Sequence, residues 1–412
     1  MQAAMQDFND GSPIDRAILL LLILAALGIL TRRSFQWTQW LSANRMFCAF
    51  ILFGCLSVLW SDYPLVALKR WLRDAGGYAM ICVVLSDPRP YEALQVVFRR
   101  VSYIFVSLSI VLIKYFPNIG IQYDEWNGAR MACGVTTGKN NLGAIALLAG
   151  LLFFWDILTR WPQRKQPKTK RIIMLSVTFL LLSLWLLRAA HSTTCIICFV
   201  LGSAVIALAR LSLVRRNRIV LKALIPAVFC LYLLLSFGLG LSASMAKAVG
   251  KDPTLTDRTE IWGFVIDMHT NPLVGVGYES FWMGSHLARF WEESGQGRIT
   301  EAHNGYLQVY LEMGLIGDAL VTGLLVSSYR SIWAKWTDSD HTVTFGLAIW
   351  IAFVFFNMTE AAFEGTFMFT MFLMATMRAP IRASRQKRNV GTSKFADRTL
   401  LPIAAELQKS SQ

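Results

Sequence analysis

A long polar stretch, residues 242–302, ends in Glu301-Ala302-His303-Asn304, after which hydrophobic sequence resumes. Imidazole exchanges protons near neutral pH, so His303 could accept or relay a proton from a substrate held at a membrane surface. Arg258 lies in the same stretch and could neutralise an anionic leaving group. The same pattern also fits a histidine that only hydrogen-bonds a loop carbonyl.

Four further cations stand at the ends of hydrophobic segments, where Lys and Arg are costly unless they have a partner. A guanidinium pairs bidentately with phosphate oxygens and an ammonium adds a compact charge. The candidates for binding a diphosphate are therefore Lys69, Arg70, Lys139 and Arg188. Cations that only extend toward the membrane interface are the alternative interpretation.

Polar residues close to His303 in sequence, or at the ends of other hydrophobic segments, could orient the imidazole or bind hydroxyl groups of an acceptor. These candidates are Glu301, Asn304 and Glu360, with Glu364 as an alternative to Glu360. A capping role at helix ends would explain the carboxylates equally well.

Neither a metal site nor a cofactor site is recognisable from spacing. The five histidines are scattered, and no carboxylate–histidine spacing resembles a zinc site. The segment Gly134–Asn140 resembles a phosphate loop but is one residue short and has Asn where a magnesium-binding hydroxyl belongs. The sequence therefore predicts chemistry without a metal or a cofactor.

The composition identifies the elements that must position these residues. With 55% hydrophobic and only 16% charged residues, the chain is too apolar for soluble domains. Continuous apolar runs without strand-like alternation predict an all-α polytopic membrane protein. About eleven transmembrane helices are expected, near residues 16–31, 43–60, 68–86, 98–116, 140–159, 172–189, 193–211, 220–242, 305–332, 343–360 and 364–379.

The net charge of +14 is concentrated in short connections, which indicates membrane topology and not nucleic-acid binding. The basic loops at 160–171 and 215–218 and the tail 381–412 are predicted to be cytoplasmic. Residues 243–303 then form one large periplasmic loop within a single integral-membrane domain, 1–412. The orientation of the N-terminus is left open, because a further helix could precede it.

Several segments, in this order, resemble one family: the O-antigen ligase and polysaccharide polymerase superfamily, nearest its exopolysaccharide-polymerase branch. The segments that carry the resemblance are Ser57–Pro64 with Leu68–Trp71, Gly134–Gly143, Ala190–Thr194, Leu255–Trp262, Pro272–Tyr278 and His303–Gly317.

The resemblance implies a GT-C-like, metal-independent glycosyltransferase at the periplasmic face of the bacterial inner membrane, with a glycan on a polyprenyl diphosphate as donor. By motif, His303 corresponds to the family's loop-to-helix histidine and Arg258 to the arginine of its large loop. A single displacement would invert the anomeric configuration. Ligases carry an arginine directly after a serine where this chain has Ser192-Thr193, and Arg188, one turn earlier, could substitute for it.

The departure from the serine–arginine pair favours a polymerase of exopolysaccharide or O-antigen repeat units. The alternatives are a ligase that transfers the glycan to a lipid A core, and a transporter or flippase for a lipid-linked oligosaccharide. The expected partners are the lipid-linked donor, a glycan or lipid-linked acceptor, membrane lipid and a chain-length regulator, but no nucleic acid. The sugar, its linkage and the oligomeric state are not readable from the sequence.

Overall fold

The computed structural model of the chain describes residues 13–33, 35–123, 128, 130–212, 214, 217–233, 254–295, 299–334 and 342–380. The predicted cytoplasmic tail, 381–412, lies outside the described residues, and so does the beginning of the predicted large loop, 243–253.

Helices account for nearly all regular structure in the first half of the chain. Five of them have proline at their first position, where the missing N–H costs no hydrogen bond. These helices are α1 (Pro13–Arg32), α2 (Trp37–Ala43), α3 (Arg45–Ser57), α4 (Pro64–Leu85), α5 (Pro90–Tyr115), the single turn α6 (Pro117–Gly120), α7 (Lys139–Arg160), α8 (Pro167–Ala189) and α9 (Thr193–Leu208). Short 3₁₀ turns follow α3 and α7, at Val58–Trp60 and Trp161–Gln163.

The second half continues in the same way. Its helices are α10 (Arg218–Leu233), α11 (Thr254–Ile266), α12 (Gly284–Glu293), α13 (Gly305–Ala334), α14 (Thr342–Phe356) and α15 (Phe367–Thr376). A two-stranded antiparallel sheet, β1 (Ile121–Tyr123) with β2 (Arg130–Ala132), precedes α7. This small sheet is an addition to the all-α architecture expected from the sequence.

Each of the eleven predicted apolar runs coincides with a helix, but the helices differ in length. Within the described residues, five helices (α1, α5, α7, α8 and α13) are long and apolar enough to cross a membrane, or six if the sharply bent α2–α3 pair counts as one span. Helices α14 and α15 contain only 15 and 10 residues. The protein is thus an all-α membrane protein, whereas eleven spans and a GT-C-like arrangement stay predictions.

Helix α7 is the centre of the bundle, with 78% of its most apolar 18-residue window buried. It packs against α5, α8, α9 and α14. Small residues allow these close approaches, as is usual between membrane helices: a Cβ at Gly143 would lie 2.7 Å from Cys195 Sγ. Helix α1, in contrast, exposes most of its large hydrophobic side chains.

The described part of the predicted large loop is a folded layer with a core of its own. Ile261 and Val265 of α11 pack there with Phe281, Trp282 and Phe290. This layer is fastened to α13, because the backbone N–H groups of residues 276 and 277 donate to the carbonyls of residues 311 and 312 at 3.1 and 2.8 Å. Next to that contact α13 is kinked at Gly314, whose φ is 61°.

Candidate active site

His303 is held at the junction between the loop layer and α13. Asn304 Oδ1 accepts hydrogen bonds from the N–H groups of Tyr306 and Leu307 at 3.1 and 3.3 Å, so it caps the first turn of α13. Trp262 Nε1 donates to the carbonyl of Ala302 at 2.9 Å. Fixed on both sides, His303 adopts a left-handed backbone conformation with φ of 48°, which costs an L-residue about 1–2 kcal/mol. Such strain is typical of functional sites.

The imidazole belongs to a cluster centred on the buried carboxylate of Glu360. His303 Nδ1 lies 2.9 Å from Glu301 Oε1 and 3.5 Å from Glu360 Oε2. Arg258 Nη2 lies 3.0 Å from Glu360 Oε1, and Asn140 Nδ2 donates to Glu360 Oε2 at 2.8 Å. The structure therefore brings together four of the candidates and adds Asn140 to them.

The two carboxylates determine the charge of the imidazole. Burial lowers the pKa of His303, but hydrogen bonding and charge interaction with Glu301 and Glu360 outweigh it and raise that pKa from 6.5 to about 9. The ring is consequently protonated at neutral pH before substrate binds. It can donate a proton in that form, and it becomes a comparatively strong base once deprotonated.

Glu301, His303 and Glu360 offer ligand atoms within 4.8 Å of one another and could hold a metal ion. Sequence spacing did not reveal this group, because Glu360 is far from the other two residues in the chain. The Arg258 guanidinium already places a positive charge 3.0 Å from Glu360, which opposes the binding of a cation at that carboxylate.

A cavity of about 850 Å³ adjoins the cluster. Its polar wall includes Glu301, which therefore touches both the cavity and the imidazole. Lys69, Arg70 and Arg73 of α4 supply positive charge to the same wall. Leucine and isoleucine side chains of α1 give the cavity an apolar part as well. The cavity thus combines surfaces suited to a charged head group and to a hydrocarbon chain.

The α4 arginines are paired with a loop carboxylate that the sequence analysis did not single out. Glu279 Oε1 lies 2.6 Å from Arg73 Nη2, and Glu279 Oε2 lies 3.8 Å from Arg70 Nε. The pKa of Glu279 is raised to about 8, mainly by burial and by Asp74, while Arg73 opposes the rise. The motif Pro272–Tyr278, which ends one residue earlier, is the only sequence signal for it.

The remaining cationic candidates have different surroundings. Lys69 is exposed on the cavity wall. Lys139 is half-buried at the start of α7, immediately before Asn140, and its side chain has no hydrogen bond or ion pair among the described residues. Arg188 is exposed at the end of α8, and its side chain contacts no member of the cluster in the part of the chain that the structure describes. The structure thus does not bring Arg188 into the site.

Two comparisons with known proteins found similar sequences. A family described as "O-Antigen ligase" matches residues 178–322, a segment that contains Arg258, Glu301 and His303. The exopolysaccharide production protein ExoQ of Rhizobium meliloti (strain 1021) is 25% identical over 333 residues, which are 78% of this chain and 74% of the relative. The resemblance predicted from the motifs is confirmed, because both matches show similarity to the O-antigen ligase and polysaccharide polymerase superfamily.

Proposed function

We propose that the protein is a glycosyltransferase of the bacterial inner membrane that joins lipid-linked repeat units into a polysaccharide at the periplasmic face. The observation that carries this proposal is the position of Glu301, which lines the cavity and lies 2.9 Å from His303. A glycan whose diphosphate and hydrocarbon chain are bound in the cavity would therefore lie close to the imidazole of His303.

In the proposed reaction a hydroxyl group of the acceptor attacks the anomeric carbon of the lipid-linked sugar. The new C–O bond forms as the bond to the diphosphate breaks, and the electron pair leaves with the diphosphate, so one displacement inverts the configuration. The neutral form of His303 accepts the hydroxyl proton. With a pKa of about 9 this form is a minor fraction at pH 7, about one molecule in a hundred, but a good base.

The positive charge needed by the departing diphosphate comes from side chains of the protein. Arg258 and Lys139 stand on the Glu360 side of His303, and Lys69 and Arg70 on the cavity side. Preorganised cations of this kind stabilise charge that develops in the transition state. We therefore propose that no metal ion takes part, and that elongation proceeds in the presence of a chelator.

The test is incubation of purified protein with a lipid-linked repeat unit, followed by gel analysis of the glycan. A ladder of longer glycans is expected from wild type, with and without EDTA, and no ladder from His303→Ala or Arg258→Ala. His269→Ala and Arg289→Ala are matched controls, because both side chains are exposed, one after α11 and one on α12, and neither belongs to the cluster. Both variants should elongate like wild type. A wild-type ladder from His303→Ala would show that the catalytic assignment is wrong.

A ligase is the second candidate, because the matching family is described as O-antigen ligase. Transfer of a single glycan only to added lipid A core, without a ladder, would identify it. Polymerisation is favoured by the relative's role in exopolysaccharide production and by Thr193, the first residue of α9, at the position where ligases carry arginine. A product in neither assay would leave the transporter hypothesis.

A further inference from the structure

The cations of the cavity already have an anionic partner. Glu279 contacts Arg73 and Arg70 with its two carboxylate oxygens, at 2.6 and 3.8 Å. Its side chain is 15% exposed and lines the cavity. The Glu279 carboxylate therefore occupies the position that the phosphate oxygens of a diphosphate would take beside these guanidinium groups.

The other carboxylate beside the arginines is fixed in a different way. Asp74 accepts a hydrogen bond from the Tyr278 hydroxyl at 2.7 Å and from Arg73 Nε at 2.8 Å, and only 3% of its side chain is exposed. Its position is determined by these bonds within the protein. Glu279, in contrast, lies on a loop at the cavity surface, in a left-handed conformation with φ of 45°.

The charges show why both anions cannot stay in place together. Glu312 Oε2 accepts the backbone N–H of Glu279 at 2.8 Å, and Glu364 also lines the cavity. Asp74 and Glu279 already pair with the arginines, and a diphosphate added to this unchanged arrangement would be repelled by both carboxylates. Moving the Glu279 side chain, which borders the cavity, removes the closer of these two charges.

We propose that Glu279 is a displaceable counter-ion, which pairs with Arg70 and Arg73 until the phosphate oxygens of a prenyl diphosphate replace its carboxylate. The identity of the natural ligand rests on the proposed function. Displacement makes binding selective, because only a ligand with more negative charge than one carboxylate can compete for both guanidinium groups. Free monovalent anions are excluded from the site in this way.

The apolar side of the cavity indicates that the ligand carries a hydrocarbon chain. Leu19, Leu20 and Ile23 of α1 line it together with Val66 and Leu72 of α4. Inorganic pyrophosphate can use only the arginines, whereas farnesyl diphosphate can also bury its chain between these helices. Farnesyl diphosphate is therefore expected to bind more tightly than pyrophosphate.

The experiment measures the binding of both probes to the full-length protein in lipid nanodiscs by titration calorimetry at pH 9, where Glu279, with a pKa of about 8, is ionised. Glu279→Gln keeps the size of the side chain and removes its charge, so both probes should bind about tenfold more tightly than to wild type. Glu293→Gln is the matched control. Its carboxylate is 54% exposed and pairs only with Arg289 among the described residues, so the same change in net charge should leave both affinities unaltered.

Equal affinity of wild type and Glu279→Gln would overturn the inference, and so would an equal gain in Glu293→Gln. Farnesyl diphosphate that binds no tighter than pyrophosphate would overturn the assignment to a prenyl ligand. If Glu279→Gln does not give monodisperse protein, Glu279→Asp is used instead, because its shorter side chain moves the carboxylate away from the arginines by one methylene. Affinity unchanged from wild type in Glu279→Asp would likewise overturn the inference. If Glu279→Gln binds the probes more tightly but wild type makes no glycan ladder, this inference holds and the proposed function fails. If wild type makes a ladder but Glu279→Gln binds no more tightly, the proposed function holds and this inference fails.

Discussion

Glu360 is the residue on which the other polar groups of the cluster converge. Its buried carboxylate contacts Arg258, Asn140 and His303 within 3.5 Å. Arg258 and Asn140 reach it from different helices, and His303 from a loop, so Glu360 fixes their mutual positions. A buried carboxylate with this many partners is held in one position and keeps the imidazole oriented.

The pH dependence of elongation should report the pKa of His303. Because the reaction needs the neutral imidazole, the rate is expected to rise with pH through the His303 pKa of about 9. Glu301→Gln removes one of the two carboxylates that raise this pKa, so the rising limb should move to lower pH by about one unit, a small shift since Glu301 is 42% exposed. Initial rates between pH 6 and 10 provide the measurement.

The direction in which the pH–rate profile moves in Glu301→Gln tests the role of Glu301. His303 holds its proton more tightly in the folded protein than in the unfolded chain, so its contribution to stability is present below about pH 6.5 and is lost as pH rises through 9. Glu293→Gln should leave the rate profile where it is in wild type. A profile that moves to higher pH in Glu301→Gln, or that does not move, would contradict the role given to Glu301.

At this scale the sequence predicted the candidate residues but not their contacts. His303, Arg258, Glu301 and Glu360 were found because their types and positions at segment ends are unusual in a membrane chain. Asn140 was overlooked as a ligand of Glu360 because an amide carries no charge by which a sequence could select it. Asn140 reaches the Glu360 cluster only because of the way α7 packs, and no local sequence pattern specifies that packing.

At the scale of elements, the kink of α13 positions the loop layer. The N–H groups of residues 315 and 316 donate to the carbonyls of Pro272 and Leu273 at 2.9 and 3.2 Å, so the broken helix and the loop satisfy each other's backbone groups. The chain reaches Glu279 directly after this contact. The kink therefore helps to place the carboxylate that pairs with the α4 arginines.

Gly314→Ala should disrupt this arrangement. A Cβ at Gly314 would lie 2.2 Å from the carbonyl carbon of Leu273, and its φ of 61° disfavours any L side chain. Backbone strain and the clash together should lower the free energy of unfolding by about 2–4 kcal/mol, measured by thermal unfolding in detergent, with loss of elongation.

Gly346→Ala is the matched control for this substitution. Gly346 is buried in α14, but nothing lies closer than 3.7 Å to a Cβ there, so its unfolding free energy should stay within about 1 kcal/mol of wild type. If Gly314→Ala is as stable and active as Gly346→Ala, the kink does not position the loop.

The position of each apolar run along the chain was predictable, because hydrophobic runs bounded by charges and prolines are local signals. The bend between α2 and α3, 96°, was not, because it depends on tertiary contacts such as that of Asn44 with the backbone of residue 378. The folded nature of the loop layer was also missed. Its apolar residues are too scattered in sequence to form a run, and they come together only through the turns between α11 and α12.

At the scale of the whole molecule, polar groups are concentrated at the two ends of the bundle. Helix α7 begins at Lys139 beside the cluster and ends at Arg160, and its 22 residues span about 33 Å, close to the thickness of the hydrocarbon layer. Arg160 and Arg99 pair there with the buried Asp156 at 2.8 Å each. The basic connection 160–171 follows directly, so the cluster and the basic loop lie at opposite ends.

Positive charge favours the cytoplasmic side, so the cluster should face the periplasm. Glu293→Cys in α12 is expected to react with a membrane-impermeant thiol reagent in intact cells whose outer membrane has been permeabilised. Lys165→Cys, in the basic connection, should react only after the inner membrane is opened. Both side chains are exposed, and the six described native cysteines are buried or half-buried, so the wild-type protein provides the background signal. Labelling of Lys165→Cys, but not of Glu293→Cys, in intact cells would place the site on the cytoplasmic side, where no periplasmic lipid-linked glycan could reach His303.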